Sequence, residues 1–388
     1  MRFAAFVLTG SSIMLGMAAH AAPAPINIAD SSIQARIIQA VQHERHVYGE
    51  GGIVPGVLVG IWDNHGDVFI KSFGTSDIAN GRPFLANDYV RIGSNTKTFV
   101  ISVVLQLVDE GKISLDDPLS KFNIGVQVPN ANQITIRDLA DMRSGLFEVY
   151  DVPELRKDIP PDSQWDPRQL IRLAVAQKPY FQPGTKYGYS NTNYLILGLV
   201  IEAVTGHSVQ NEIETRLLRP FKLQHTFYPT TMAMPTPWAR GYAPKPGGGW
   251  ENVSNTIPVS LMGAAGNMIS NLTDMQRWVQ LYVGGKTNGP QTQKQRLDCI
   301  PIGHGSLAFG LGVGCDSGWF GYTGGLPGYN TAAWTYPAGG ITLLVFVTDQ
   351  ANTPSPGVAN AMLRDIAAII TPGHVPFAAT NNAAKTGL

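Results

Sequence analysis

The segment Gly93-Ser94-Asn95-Thr96-Lys97 places a hydroxyl and an amine three residues apart, just ahead of a long apolar run. Residues at that spacing share one side of a helix, and the positive helix end favours an oxyanion forming beside Ser94. A lysine kept neutral by burial can take the serine proton, which makes Ser94 a candidate nucleophile for acyl transfer. Ser-x-x-Lys alone equally describes a serine capping a helix above a surface lysine. Two further groups accompany it. Tyr189-Ser190-Asn191 precedes a second apolar run, offering a phenol able to relay a proton and an amide able to bind a substrate carbonyl or hold the lysine. Tyr322-Thr323-Gly324-Gly325 falls between strand candidates, where exposed backbone and a hydroxyl could line a groove for an extended substrate. Taken singly, the second group reads as a helix start with an Asn cap and the third as a turn between strands. In this order they read as one catalytic constellation.

The elements that must position these residues follow from periodicity. An amphipathic helix is expected near Ser32 to Val47, then strands at Gly56 to Trp62 and Asp67 to Phe73 joined as a hairpin across Asp63-Asn64-His65-Gly66. Phe99 to Val108 is apolar on nearly every face and stops at Glu110-Gly111, describing a buried helix. Leu119 to Asn255 turns helical and loop-rich, with Tyr194 to Val204 a second apolar helix ending at Gly206 and a Pro/Gly stretch at Tyr242 to Gly249. Strand patterns return at Leu307 to Val313, Tyr329 to Tyr336 and Ile341 to Thr348, and a last helix is expected at Val358 to Ile370, before Pro372. The fold class this implies is α/β (α+β): one antiparallel sheet, flanked by helices, from residues 26–118 and 256–372, with a mainly helical region, 119–255, inserted between them and a flexible tail at 373–388.

The chain has 388 residues, 44% hydrophobic and only 14% charged, so it has ample material for a core and is not a disordered chain. Lys+Arg and Asp+Glu balance at 28 each with no basic run, which argues against nucleic-acid partners. Arg2, the apolar stretch Phe3 to Ala18 and Ala19-His20-Ala21 read as an export signal over residues 1–21, giving a periplasmic or secreted protein with no stable membrane span once the signal is removed; an N-terminal anchor is the alternative. In an oxidising compartment Cys299 and Cys315 would close a short loop as a disulfide worth about 3 kcal/mol; otherwise they are two buried thiols. His43-Glu44-Arg45-His46 lacks the His-Glu-x-x-His spacing of a zinc site, and neither metal nor cofactor is expected. No Gly-x-Ser-x-Gly elbow occurs, and Gly303 to Gly314 reads as a glycine-rich hairpin rather than a phosphate loop.

These three motifs, together with Arg91-Ile92-Gly93, Gly111 to Pro118, Ser144-Gly145-Leu146, Phe181 to Thr185 and Gly324 to Tyr329, make the chain similar over most of its length to the penicillin-recognising serine hydrolases. The resemblance is to the secreted D-alanyl-D-alanine carboxypeptidases and the class C β-lactamase-like esterases and amidases. It implies a β-lactamase/transpeptidase-like fold, Ser94 as nucleophile, Lys97 as activating base and Tyr189 as the group that protonates the leaving atom. It also implies that Asn191 orients Lys97 and substrate, that Tyr322, Thr323, Gly324 and Gly325 bind substrate, and that the Ser94 and Gly325 N–H groups form an oxyanion hole. Such a donor is worth about 3 kcal/mol in the transition state. Expected substrates are a cell-wall peptide, a β-lactam, or a D-amino-acid amide or ester. One position departs: the family's third motif begins with Lys or His, and Tyr322 supplies no positive charge with which to read a terminal carboxylate. Arg143 is a candidate replacement, or a surface arginine. A non-catalytic ligand-binding protein on the same scaffold is the competing reading.

Overall fold

The computed structural model describes residues 27–49, 52–156, 159–349 and 357–378; the export signal expected at 1–21 lies outside them. The chain opens with α1 (Ser31–Val47), capped by the Asp30 side chain, and a hairpin of β1 (Gly56–Trp62) and β2 (Val68–Asp77). Short strands β3 (Arg82–Pro83) and β4 (Val90–Arg91) lead to α2 (Thr96–Asp109). Residues 119–255 supply α3 (Ile136–Ala140), α4 (Pro167–Val175), α5 (Asn191–Thr205), α6 (Val209–Ile213) and a small hairpin of β5 (Tyr242–Pro244) and β6 (Trp250–Asn252). Next come α7 (Val259–Gly266), β7 (Ile269–Ser270), α8 (Leu272–Val283) and α9 (Pro290–Arg296). The chain closes with β8 (Ile300–His304), β9 (Leu307–Gly310), β10 (Val313–Asp316), β11 (Trp319–Leu326), β12 (Tyr329–Tyr336), β13 (Ile341–Val347) and α10 (Val358–Ile370).

Nine strands form one antiparallel sheet in the order β3-β2-β1-β13-β12-β11-β10-β9-β8, so both chain ends build it, as the strand patterning requires. The central strands are buried on both faces, which explains why β1 and β13 read as unbroken apolar runs. Val57, Val59, Ile61, Leu343 and Val345 pack in one core with Met362 and Leu363 of α10, while Leu58, Leu344 and Phe346 belong to a second core containing Phe99 of α2, Leu197 of α5 and Trp278 of α8. The long apolar helices α2 and α5 are accordingly buried almost all round; α5 stops at Gly206, whose φ is +75°.

Four expectations change. Tyr322 to Gly325 does not lie between strands but on β11 itself, and Gly324 serves close packing rather than a turn. Leu307 to Val313 is broken into β9 and β10 by Gly312, with φ of +60°. The Pro/Gly stretch carries the β5–β6 hairpin. Most consequentially, the first residues of the expected flexible tail are packed: Trp319 Nε1 donates to His374 O at 2.7 Å and Phe377 N–H to Asp316 Oδ2 at 2.8 Å. Residues 379–388 lie outside the described part.

Candidate active site

Ser94 occupies a 3-10 turn, Gly93–Asn95, that runs directly into α2. Backbone pairing fixes this turn from two sides. Ile92 N–H donates to Met268 O at 3.0 Å and Met268 N–H to Thr96 Oγ1 at 3.1 Å, while the Asn95 amide and the Thr331 hydroxyl of β12 are 3.0 Å apart. Gly93 has φ of +53°, and a Cβ there would stand 2.8 Å from Gly325 N; one on Gly324 would stand 1.9 Å from Ile92 O. Only glycine allows the left-handed backbone and this approach together. The Ser94 turn is thereby pressed against the backbone of the third motif.

Lys97, the second residue of α2 and one turn on from Ser94, is completely buried. Its Nζ lies 3.0 Å from Ser94 Oγ, 2.7 Å from Asn191 Oδ1 and 2.6 Å from Ala265 O. Burial pushes its pKa down to about 7, opposed by the negative charge of Glu148. No carboxylate forms an ion pair with it among the described residues. An uncharged amine has two N–H groups and one lone pair. With both N–H groups used on the two carbonyl oxygens, the lone pair is left for the Ser94 hydroxyl.

Tyr189 Oη stands 2.8 Å from Ser94 Oγ. Tyr189 is 38% exposed, yet desolvation of its phenol raises its pKa well above the ordinary tyrosine value. Asn191 begins α5, and the carboxylate of Glu148 covers that helix end: Oε2 accepts from Asn191 N–H at 2.5 Å and Oε1 from Asn191 Nδ2 at 2.9 Å. A negative group at a helix N-terminus is favoured by the dipole, and this one also fixes the amide so that Oδ1 faces Lys97. Sequence reasoning missed Glu148 and the Ala265 carbonyl. The only signal for Glu148 was an acidic residue just after Ser144-Gly145-Leu146.

Ser94 and Tyr189 open onto a cleft of about 290 Å³ lined also by Tyr187, Phe309, Tyr322, Thr323 and Gly325 among others, with no Lys, Arg or His lining it among the described residues. A wider depression of about 440 Å³, along Gln210 to Tyr228, lies away from them and contains no serine–lysine pair. Tyr322 is buried edge-on to Phe309, its hydroxyl makes no hydrogen bond of ordinary geometry, and desolvation beside Tyr189 holds its pKa well above normal. Thr323 Oγ1 donates to Asn360 Oδ1 of α10 at 2.7 Å. Arg143 neither lines the cleft nor reaches the surface as a free charge: its largely buried side chain lies 3.8 Å from Asp141, whose own pKa burial pushes up to about 7. Cys299 and Cys315 form a disulfide, Cα–Cα 6.4 Å, joining the approach to β8 with β10 beside the cleft. Among the described residues, no three metal-ligating side chains cluster and no helix is long and apolar enough to cross a membrane.

A family model described as Beta-lactamase matches residues 37–368. A beta-lactamase of Escherichia coli (strain K12) is 28% identical over 227 residues, covering 58% of this chain and 56% of that protein, so the chain spans little more than half the length of that relative. Among solved structures, a D-stereospecific amidohydrolase from Streptomyces sp. is 28% identical with a TM-score of 0.74, covering 86% of this chain and 98% of the other. D-amino acid amidase from Ochrobactrum anthropi SV3, complexed with L-phenylalanine amide, shares the fold at 21% identity and a TM-score of 0.77, over 88% and 99% of the two chains. The match extends across Ser94, Lys97, Tyr189 and the third motif alike, and the chain belongs to the Beta-lactamase family of serine hydrolases.

Proposed function

We propose that this protein cleaves ester or amide bonds through an acyl-enzyme on Ser94 and works best where the leaving part carries no carboxylate. The observation that carries the reading is the complete burial of Lys97 with no ion-paired carboxylate among the described residues, its Nζ 3.0 Å from Ser94 Oγ and two carbonyl oxygens taking its N–H groups. Lys97 and Tyr189, both within hydrogen-bonding distance of Ser94 Oγ, act as one coupled acid–base pair. As Ser94 Oγ bonds to the substrate carbonyl carbon, its proton passes to this pair, and the oxyanion is received by the Ser94 and Gly325 N–H groups. Collapse breaks the carbon–oxygen or carbon–nitrogen bond, and Tyr189 returns the proton to the departing atom. Water then attacks the acyl carbon while the same pair takes its proton, the bond from that carbon to Ser94 Oγ breaks, and the pair returns the proton to Ser94 Oγ, releasing the acid and restoring the hydroxyl.

The amidohydrolase likeness supports amide cleavage, and a cleft lined among the described residues by no Lys, Arg or His supports substrates less charged than a β-lactam or a D-Ala-D-Ala peptide. The Cys299–Cys315 disulfide supports an exported, periplasmic or secreted protein. The test is covalent labelling with a fluorophosphonate and with a fluorescent penicillin. Label that disappears in Ser94→Ala supports the hydrolase; no label from either probe leaves a ligand-binding protein on this scaffold. Parallel rates on a D-Ala-D-Ala peptide, a chromogenic cephalosporin, a D-amino-acid amide and a nitrophenyl ester then rank the substrates, with the amide and the ester expected first.

A further inference from the structure

Phe377 belongs to a segment whose sequence promises no structure, yet it lines the same cleft as Ser94. Three anchors hold it there. Its N–H donates to the buried carboxylate of Asp316 at 2.8 Å; its ring meets Trp334 edge-on, centroids 5.0 Å apart at 84°; and three residues earlier His374 O accepts from Trp319 Nε1 at 2.7 Å while the His374 ring lies against Tyr336. The Phe377 backbone has φ of +56°, a left-handed conformation that an aromatic residue adopts only where its surroundings impose it. A bulky residue held in this conformation against the cleft marks a wall with a definite position rather than a loose end.

The cleft that Phe377 borders is the one carrying Tyr189 and Tyr322. In the mechanism proposed above, Tyr189 protonates the departing atom, and position 322 is where a terminal carboxylate of the departing part would be read. The cleft therefore holds the leaving group, and its remaining walls are largely apolar, with Ile302, Leu307, Phe309 and Trp334 beside the mutually hydrogen-bonded Thr323 and Asn360. We propose that Phe377 is a specificity-determining residue: it closes the far end of an apolar leaving-group pocket and sets the length of the uncharged alcohol or amine that the enzyme can release.

This inference rests on the Ser94 hydrolase reading, and the experiment separates the two. Acetate esters of straight-chain alcohols from ethyl to octyl keep the acyl group and the basicity of the leaving oxygen constant while lengthening the departing chain. For the full chain, kcat/KM should rise with alcohol length and stop rising where the chain meets Phe377. In Phe377→Ala the break should move to longer alcohols, with the octyl-to-ethyl ratio about tenfold higher, the scale expected when a pocket admits extra methylenes. Phe377→Trp, which keeps the contact with Trp334, should move the break to shorter alcohols and carries the test if the alanine variant does not fold. Profiles that superimpose in all three proteins, with turnover still abolished by Ser94→Ala, overturn the role of Phe377 alone. Ester turnover that survives Ser94→Ala overturns the hydrolase reading and this inference with it.

Discussion

Lys97 Nζ and Ser94 Oγ stand 3.0 Å apart, and the lysine reaches this contact only by giving up every exposure to water. Burial of a cation without a paired carboxylate is unfavourable, and the pKa falls until the neutral form is accessible near neutral pH. The same arrangement that activates Ser94 should therefore weaken the fold in acid.

The sign of that effect can be worked out. The folded-state pKa of Lys97 is pushed down to about 7 from 10.5, so between those values the unfolded chain binds more protons and stability rises with pH. Below about pH 7 the whole penalty is present. Lys97→Met, which has no charge to bury, should have a higher Tm than the parent protein at pH 6 and a smaller advantage at pH 10, measured by calorimetry. A pH-independent difference in Tm would mean that Lys97 is charged in the folded protein throughout this range.

Glu148 is a positioning residue acting through Asn191. Glu148→Gln removes a negative charge that favours the Lys97 ammonium, so the acidic limb of kcat/KM should move to lower pH. It also weakens the contacts that orient the Asn191 amide, and kcat/KM on the plateau should fall about tenfold, a step equivalent to a lost hydrogen bond to a charged group. A merely structural role would lower Tm without moving the pH profile.

Tyr322→His places at the head of the third motif a group that can carry a positive charge. Turnover of carboxylate-bearing substrates should rise relative to neutral esters when the two are assayed side by side. Unchanged relative rates would remove Tyr322 from the specificity argument.

The Cys299–Cys315 disulfide closes a short loop, with a sequence separation of 16, so replacing both cysteines by serine should lower stability by about 3 kcal/mol in denaturant titrations. Because β8 and β9 wall the cleft through Ile302, Leu307 and Phe309, KM should rise more than kcat falls. Equal stability of the oxidised and serine forms would contradict the assignment.

The site was legible where its geometry is local. Ser94 and Lys97 meet because one helical turn separates them, and Asn191 is recognisable as a helix start. Contacts made across the fold left little trace: Ala265 O, Glu148 and Phe377 reach the site only through tertiary packing. The third motif misled in a specific way. Gly324-Gly325 carries the pattern of a turn, but glycine is needed at 324 because Ile92 O leaves no room for a side chain. In the same way, the polar, small-residue composition after Pro372 gave no hint that Asp316 and Trp319 would hold His374 and Phe377 in place.

The central claim is that a neutral Lys97 activates Ser94, and the rate of fluorophosphonate labelling as a function of pH tests it most directly. Mass spectrometry of the labelled protein should place the adduct on Ser94, with the rate rising through a midpoint near pH 7 and reaching a plateau above it. Lys97→Met should label at least a hundredfold more slowly and without that midpoint. An adduct on another residue, or a Ser94 labelling rate that ignores both pH and the loss of Lys97, would contradict the account.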